Sequence, residues 1–98
     1  MHRLTVSYPT PDDPEHFLAY YVDKHLPLAR QLPGLIACRY LRPKALGPAA
    51  AVPFLLFEGD FENVAAMYAA IGSPLGATVA ADVPNYSPKG ATLYHYDV

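Results

Sequence analysis

Cysteine occurs once in this chain, at Cys38, and charged residues make up only 16% of it. A lone thiol cannot build a disulfide framework within one chain or a thiolate zinc site. The seven Lys and Arg are scattered and the net charge is -2, which makes nucleic acid and anionic membrane surfaces poor partners. No apolar run is long enough to span a bilayer, and the N-terminus lacks a secretory hydrophobic region. There is no glycine-rich phosphate loop and no dinucleotide fingerprint, so neither a nucleotide nor a nicotinamide cofactor is expected. These absences predict a cytoplasmic protein with no nucleotide or nicotinamide cofactor and with no nucleic-acid or membrane partner.

Apolar surface is what the chain has in quantity: 52% of 98 residues are hydrophobic. That length predicts one domain over residues 1–98, with room for a core but with less of its surface buried than in a larger domain. The apolar excess predicts that a second copy covers one face of a sheet, giving a homodimer.

The segment from Phe17 to Leu35 organises the rest. Leu18, Tyr21, His25, Leu28 and Leu32 recur at helical spacing and predict a buried stripe that carries His25 inward, with Tyr21 one turn away. Asp13-Pro14-Glu15 supplies the cap and first turn. Pro27 lacks the amide owed to the carbonyl of Asp23, so the helix should kink, or end and restart, after Leu26. Pro33-Gly34 closes it.

Before this segment, His2–Tyr8 alternates as a strand with Leu4, Val6 and Tyr8 on its dry side. After it, Leu35–Leu41 reads as a second strand and Arg42–Ala50 as a loop. Pro53–Gly59 is a third strand, apolar enough to need cover on both faces. Asp60 is expected to cap a helix from Phe61 to Ile71 that buries Phe61, Val64, Ala65, Tyr68 and Ile71. Gly72 ends it, and Ser73-Pro74 opens a short helix from Leu75 to about Asp82. Pro84 breaks that helix, Asn85–Pro88 turns, and Ala91–Val98 is the last strand. The order predicts an α+β, ferredoxin-like βαββαβ domain, a four-stranded antiparallel sheet with helices on one face. Its open face should be apolar enough for two such sheets to pack together.

His25 is the residue best suited to proton chemistry, because its ordinary pKa lies near neutrality. It is equally a core histidine satisfied by a carbonyl or by Tyr21. Tyr21 could donate to a substrate oxygen or simply fill the core. Asn85 and Tyr86 could close a pocket or staple a turn. His2 and His95 should approach each other where the first and last strands meet, but only Asp97 is at hand to complete a ligand set, so no metal site is expected.

The run Phe17-Leu18-Ala19-Tyr20-Tyr21-Val22-Asp23-Lys24-His25-Leu26-Pro27-Leu28-Ala29, followed by Leu32-Pro33-Gly34-Leu35, resembles the signature of the EthD family. Tyr8-Pro9, Ser73-Pro74 and Ala81-Asp82-Val83-Pro84-Asn85-Tyr86 fit the same family in the same order. The resemblance implies a dimeric α+β barrel. It also implies kinship with small polyketide-tailoring enzymes and a lactone isomerase that work without a cofactor. The family's Lys-His-x-Pro histidine maps onto His25 and its later aromatic onto Tyr86. The chain departs from the family pattern in the loop from Pro43 to Val52 and in having tyrosine at Tyr20 and Tyr21.

The expectation is a small-molecule pocket between helices and sheet, with His25, Tyr21 and Tyr86 as catalytic candidates and Tyr20, Leu28 and Asn85 as ligand contacts. The substrate would be a small apolar, aromatic or polyketide-like compound in a catabolic or tailoring oxidative pathway. Two alternatives stand beside it. One is a non-catalytic ligand-binding or accessory protein of an oxidoreductase system. The other is a haem or metal protein, since the wider barrel superfamily includes haem enzymes.

Overall fold

A computed structural model describes residues 1–48 and 51–98. The predicted loop Arg42–Ala50 therefore ends on two residues that lie outside the described ones. Four strands, β1 (His2–Tyr8), β2 (Ala37–Leu41), β3 (Leu55–Phe61) and β4 (Thr92–Asp97), form an antiparallel sheet in the order β2-β3-β1-β4. Helices α1 (Pro14–Tyr20), α2 (Leu26–Ala29), α3 (Val64–Ile71) and α4 (Pro74–Asp82) complete the ferredoxin-like arrangement. No single helix among the described residues is long and apolar enough to cross a membrane.

The side chain of Asp13 accepts from the amide of His16 and Pro14 takes the first turn, as the sequence predicts. Pro27 does not break the helix. The turn before it, Tyr21–His25, widens to π-helical spacing, and the amide of Leu26 reaches back to the carbonyl of Tyr21. The wide turn accommodates a residue that cannot donate, and α2 continues through it. It also rotates the buried stripe onto Phe17, Tyr21, His25, Ala29 and Leu32, leaving Leu18 and Leu28 half-buried.

Several expected boundaries move. The second strand begins at Ala37, not Leu35, because Gly34 turns the chain at φ 78° and Leu35 packs where Gly59 has no side chain. A Cβ at Gly59 would lie 3.1 Å from Leu35 Cδ1. The third strand runs two residues further than expected, because its pairing with β1 continues to His2 opposite Phe61. Asp60 is therefore a strand residue and not a helix cap; Asn63 caps α3 by accepting from the amide of Ala66. With that shift α3 buries Met67 and Ala70, while Val64, Tyr68 and Ile71 are exposed. Ser73 and Pro74 open α4 as predicted.

Strand alternation puts Leu4, Val6, Tyr8, Leu55, Phe57 and Phe61 under the helices, and all six are buried. The opposite face is less apolar than the sequence led us to expect. Asp60 receives Arg3 Nε at 2.7 Å and Arg39 Nη2 at 2.9 Å, and Arg39 Nη1 also reaches Glu58 at 3.1 Å. The two guanidinium groups, Arg3 first, hold the Asp60 carboxyl down at about 2. Thr5 and Tyr96 share a hydrogen bond on the same side.

Candidate functional site

Between the helices and the covered face of the sheet lies a hollow of about 280 Å³. Leu4, Val6, Phe57 and Leu93 form its floor, and Ala29, Leu32, Gly76, Val79 and Val83 close it from above. Gly76 is required there, because a Cβ would come within 2.3 Å of the Ile71 carbonyl oxygen at the α3–α4 corner. Among the described lining residues only Tyr8 and His25 bring polar side-chain atoms. A second concavity of about 270 Å³, bordered by Ser7, Pro9, Val52 and Lys89, gathers no comparable set of groups.

His25 is 3% exposed and its Nδ1 stands 2.9 Å from Asp82 Oδ2. The other oxygen of Asp82 accepts from the Tyr20 hydroxyl at 2.6 Å and from Asn85 Nδ2 at 3.0 Å. Burial pushes the His25 imidazole below its ordinary 6.5, against the opposing pull of Asp82. Burial alone would raise the Asp82 carboxyl, but hydrogen bonds from Tyr20, Asn85 and His25 outweigh it and hold the carboxyl below its ordinary value. The pair is thus an ionised carboxylate against a neutral imidazole at neutral pH.

The His25 ring lies 4.6 Å from that of Tyr86 and 5.5 Å from that of Tyr21. The Tyr86 hydroxyl meets the Tyr8 hydroxyl at 2.6 Å, and burial pushes both phenols up, Tyr8 to about 12. The Tyr21 hydroxyl is buried and has no hydrogen-bond partner among the described residues.

Of the six residues singled out by sequence, His25 alone forms part of the wall. Tyr21 and Tyr86 are fully in the core behind it. Tyr20 and Asn85 converge on Asp82, and half-buried Leu28 lies off the hollow. Asp82 and Tyr8 were missed as site residues. The sequence signal for Asp82 was its place in the Asp82-Val83-Pro84-Asn85-Tyr86 run, immediately before the 3-10 turn Val83–Asn85 that aims Asn85 back at it.

His2 and His95 do meet, Nε2 to Nδ1 at 2.7 Å, with Asp97 on His2 Nδ1 at 2.7 Å. No group of three residues suited to holding a metal ion is found among the described residues.

The EthD domain model matches residues 10–90. An uncharacterised 11.0 kDa protein of the thcB-thcC intergenic region of Rhodococcus erythropolis is 33% identical over 97 residues, 99% of this chain and 94% of that protein. An EthD family protein of Bacillus halodurans has the same fold at TM-score 0.91 and 23% identity, covering 100% of this chain and 98% of that one. A dimeric ferredoxin-like protein of Thermobifida fusca aligns at TM-score 0.72 and 14% identity, over 99% and 90% of the two chains. SnoaB, a cofactor-independent oxygenase of Streptomyces nogalater, aligns at TM-score 0.71 and 11% identity, over 99% and 91%.

Proposed function

The chain belongs to the EthD family, and from that footing we propose that it acts without a cofactor on small apolar, aromatic or polyketide-like compounds, in a catabolic or tailoring oxidative pathway. His25 is the proton-transfer group. The observation that carries this reading is an imidazole, held by a carboxylate on one side, in the wall of a hollow whose described lining is apolar apart from it and Tyr8. Such a hollow favours an apolar ligand, and its low polarity strengthens every interaction His25 makes there. Tyr86 and Tyr21 keep the imidazole ring in place by packing on it. That SnoaB is described as a cofactor-independent oxygenase is consistent with this chemistry on the same fold.

The test is turnover of a panel of such compounds by the protein and by His25→Ala. Loss of activity with the fold retained supports the reading; unchanged turnover removes His25 from the mechanism. A second reading, a ligand-binding accessory protein, draws on the wall itself, where the Tyr8 hydroxyl is the one polar side-chain group beside the imidazole among the described residues. A compound that raises Tm and is recovered unaltered favours that reading.

We also propose a homodimer across the open sheet face, where Leu41, Leu56, Tyr94 and Tyr96 flank the Arg3–Asp60–Arg39 cluster. The dimeric description of the Thermobifida fusca protein supports it. Light scattering should give twice the chain mass at micromolar concentration, and a monomer there would overturn the assignment.

A further inference from the structure

We infer that Asp82 is a positioning residue that presents His25 to the hollow as a hydrogen-bond acceptor. The ligand this arrangement selects is a neutral hydroxyl compound, a phenol or an enol, over the matching ether or carboxylate. The inference rests on the hollow being the ligand site, as proposed above.

The argument starts from hydrogen positions. Asp82 accepts from Tyr20 and Asn85 on Oδ1, and its Oδ2 faces His25 Nδ1 at 2.9 Å. A carboxylate has no hydrogen to give, so the ring hydrogen must sit on Nδ1. A neutral imidazole carries one such hydrogen, and Nε2 is left with its lone pair. Nε2 has no partner among the described residues, and His25 lines the hollow. The hollow therefore offers a strong acceptor at that point.

The rest of the wall decides what can answer it. No cation and no amide side chain is among the described lining residues. A carboxylate would be buried without a counter-charge, with the desolvation cost that any unpaired buried ion carries. An ether or an unsubstituted hydrocarbon would fit the apolar wall but leave Nε2 unanswered. A hydroxyl donates to it. The Tyr8–Tyr86 pair shares one hydrogen across 2.6 Å, so when Tyr86 donates, the Tyr8 hydroxyl can turn its own hydrogen toward a ligand oxygen. In the proton-transfer step the O–H hydrogen passes to Nε2, and its bonding pair stays on the ligand as a phenolate or enolate. The resulting imidazolium is stabilised by Asp82 through Nδ1.

The experiment uses the intact protein with a naphthol, its methyl ether and the corresponding naphthoate, measured by calorimetry near neutral pH. The naphthol should bind at least about tenfold more tightly than the ether, with the naphthoate weakest. Ring-nitrogen NMR should show His25 protonated on Nδ1 and bare on Nε2. In Asp82→Asn the amide oxygen stays with Tyr20 and Asn85, which turns the amide NH2 toward Nδ1 and moves the ring hydrogen to Nε2. The naphthol preference should then fall to about unity, a change that lost packing alone would not produce.

Equal affinity for naphthol and ether, or a preference that persists in a folded Asp82→Asn, overturns this inference and leaves the hollow standing as a binding site. If Asp82→Asn does not fold, a hydrogen found on Nε2 of the unaltered protein overturns it equally. Failure of all three compounds to bind overturns the ligand-site reading, and this inference with it.

Discussion

Two histidine–aspartate pairs of almost the same length sit in opposite settings. His25 Nδ1 is 2.9 Å from Asp82 and His2 Nδ1 is 2.7 Å from Asp97. The Asp82 side chain is 15% exposed, the Asp97 side chain 93%. His25 lines a hollow and its second nitrogen has no partner among the described residues, whereas His2 spends its own on His95, which in turn lies 3.3 Å from the Tyr68 hydroxyl. Separation is therefore not what distinguishes them. Water competes for one carboxylate and hardly reaches the other, and only one pair has its imidazole in the wall of a ligand-sized space, with the second ring nitrogen unpartnered among the described residues. Under the proposed function, a short His–Asp contact becomes a chemical device where those two conditions coincide.

The largest expected effect comes from the phenols packed around the inner pair. Burial holds the Tyr8 hydroxyl at about 12, against an ordinary 10.0. The folded state keeps this phenol neutral, so its contribution to stability is complete below about pH 10 and is lost as pH rises through about 12, roughly 2–3 kcal/mol from Tyr8 alone. Tyr21 and Tyr86 are shifted the same way by the same cause. Phenolate absorbance and circular dichroism followed together into alkali should show these phenols ionising only as the protein unfolds. Ionisation of the buried set in a folded protein would show that the surroundings of His25 are wetter than the packing indicates.

Next in size is removal of the inner carboxylate. Asp82→Ala leaves His25 Nδ1, the Tyr20 hydroxyl and Asn85 Nδ2 without their acceptor. The loss should be about 2 kcal/mol, tempered by the water that can reach Tyr20 and Asn85. Urea unfolding measures it. A smaller acid effect follows from His25 itself. Its folded pKa lies below the ordinary 6.5, so the unfolded chain takes up the proton first. Stability from this group is present above about pH 6.5 and declines as pH falls through the lower folded value. The slope of stability against pH on that acid side should flatten in His25→Gln, which can still donate to Asp82 but cannot titrate.

The inner pair was half legible in the sequence. His25 announced itself, because helical spacing places it on the stripe of Tyr21 and because Pro27 two residues on marks the unusual turn. Asp82 did not, since its partner lies 57 residues away and no local pattern says which way the last turn of α4 faces. The same limit explains α3. Its apolar residues are spread around the helix, so period alone could not choose Met67 and Ala70 over Tyr68 and Ile71; the sheet beneath makes that choice. Asp60 misled for a related reason. A carboxylate before an apolar run reads as a cap, yet Arg3 and Arg39 on neighbouring strands hold it in the sheet. The elements that were legible, β1 and the capped start of α1, are those whose signal is local. What escaped depends on contacts between distant segments.

The outer pair supplies the smallest effect and the sharpest control. Removing the carboxylate by Asp97→Ala should leave the unfolding midpoint unchanged within error. Water can take the place of so exposed a carboxylate, and surface ion pairs contribute little in general. His2 retains its contact with His95, and the strand end stays paired through the Val98 amide and the Met1 carbonyl. The variant therefore deletes a His–Asp contact shorter than the inner one while changing almost nothing else. A destabilisation matching that of Asp82→Ala would mean that the contact itself, whatever its exposure, carries the energy. Burial would then no longer be what sets His25 and Asp82 apart.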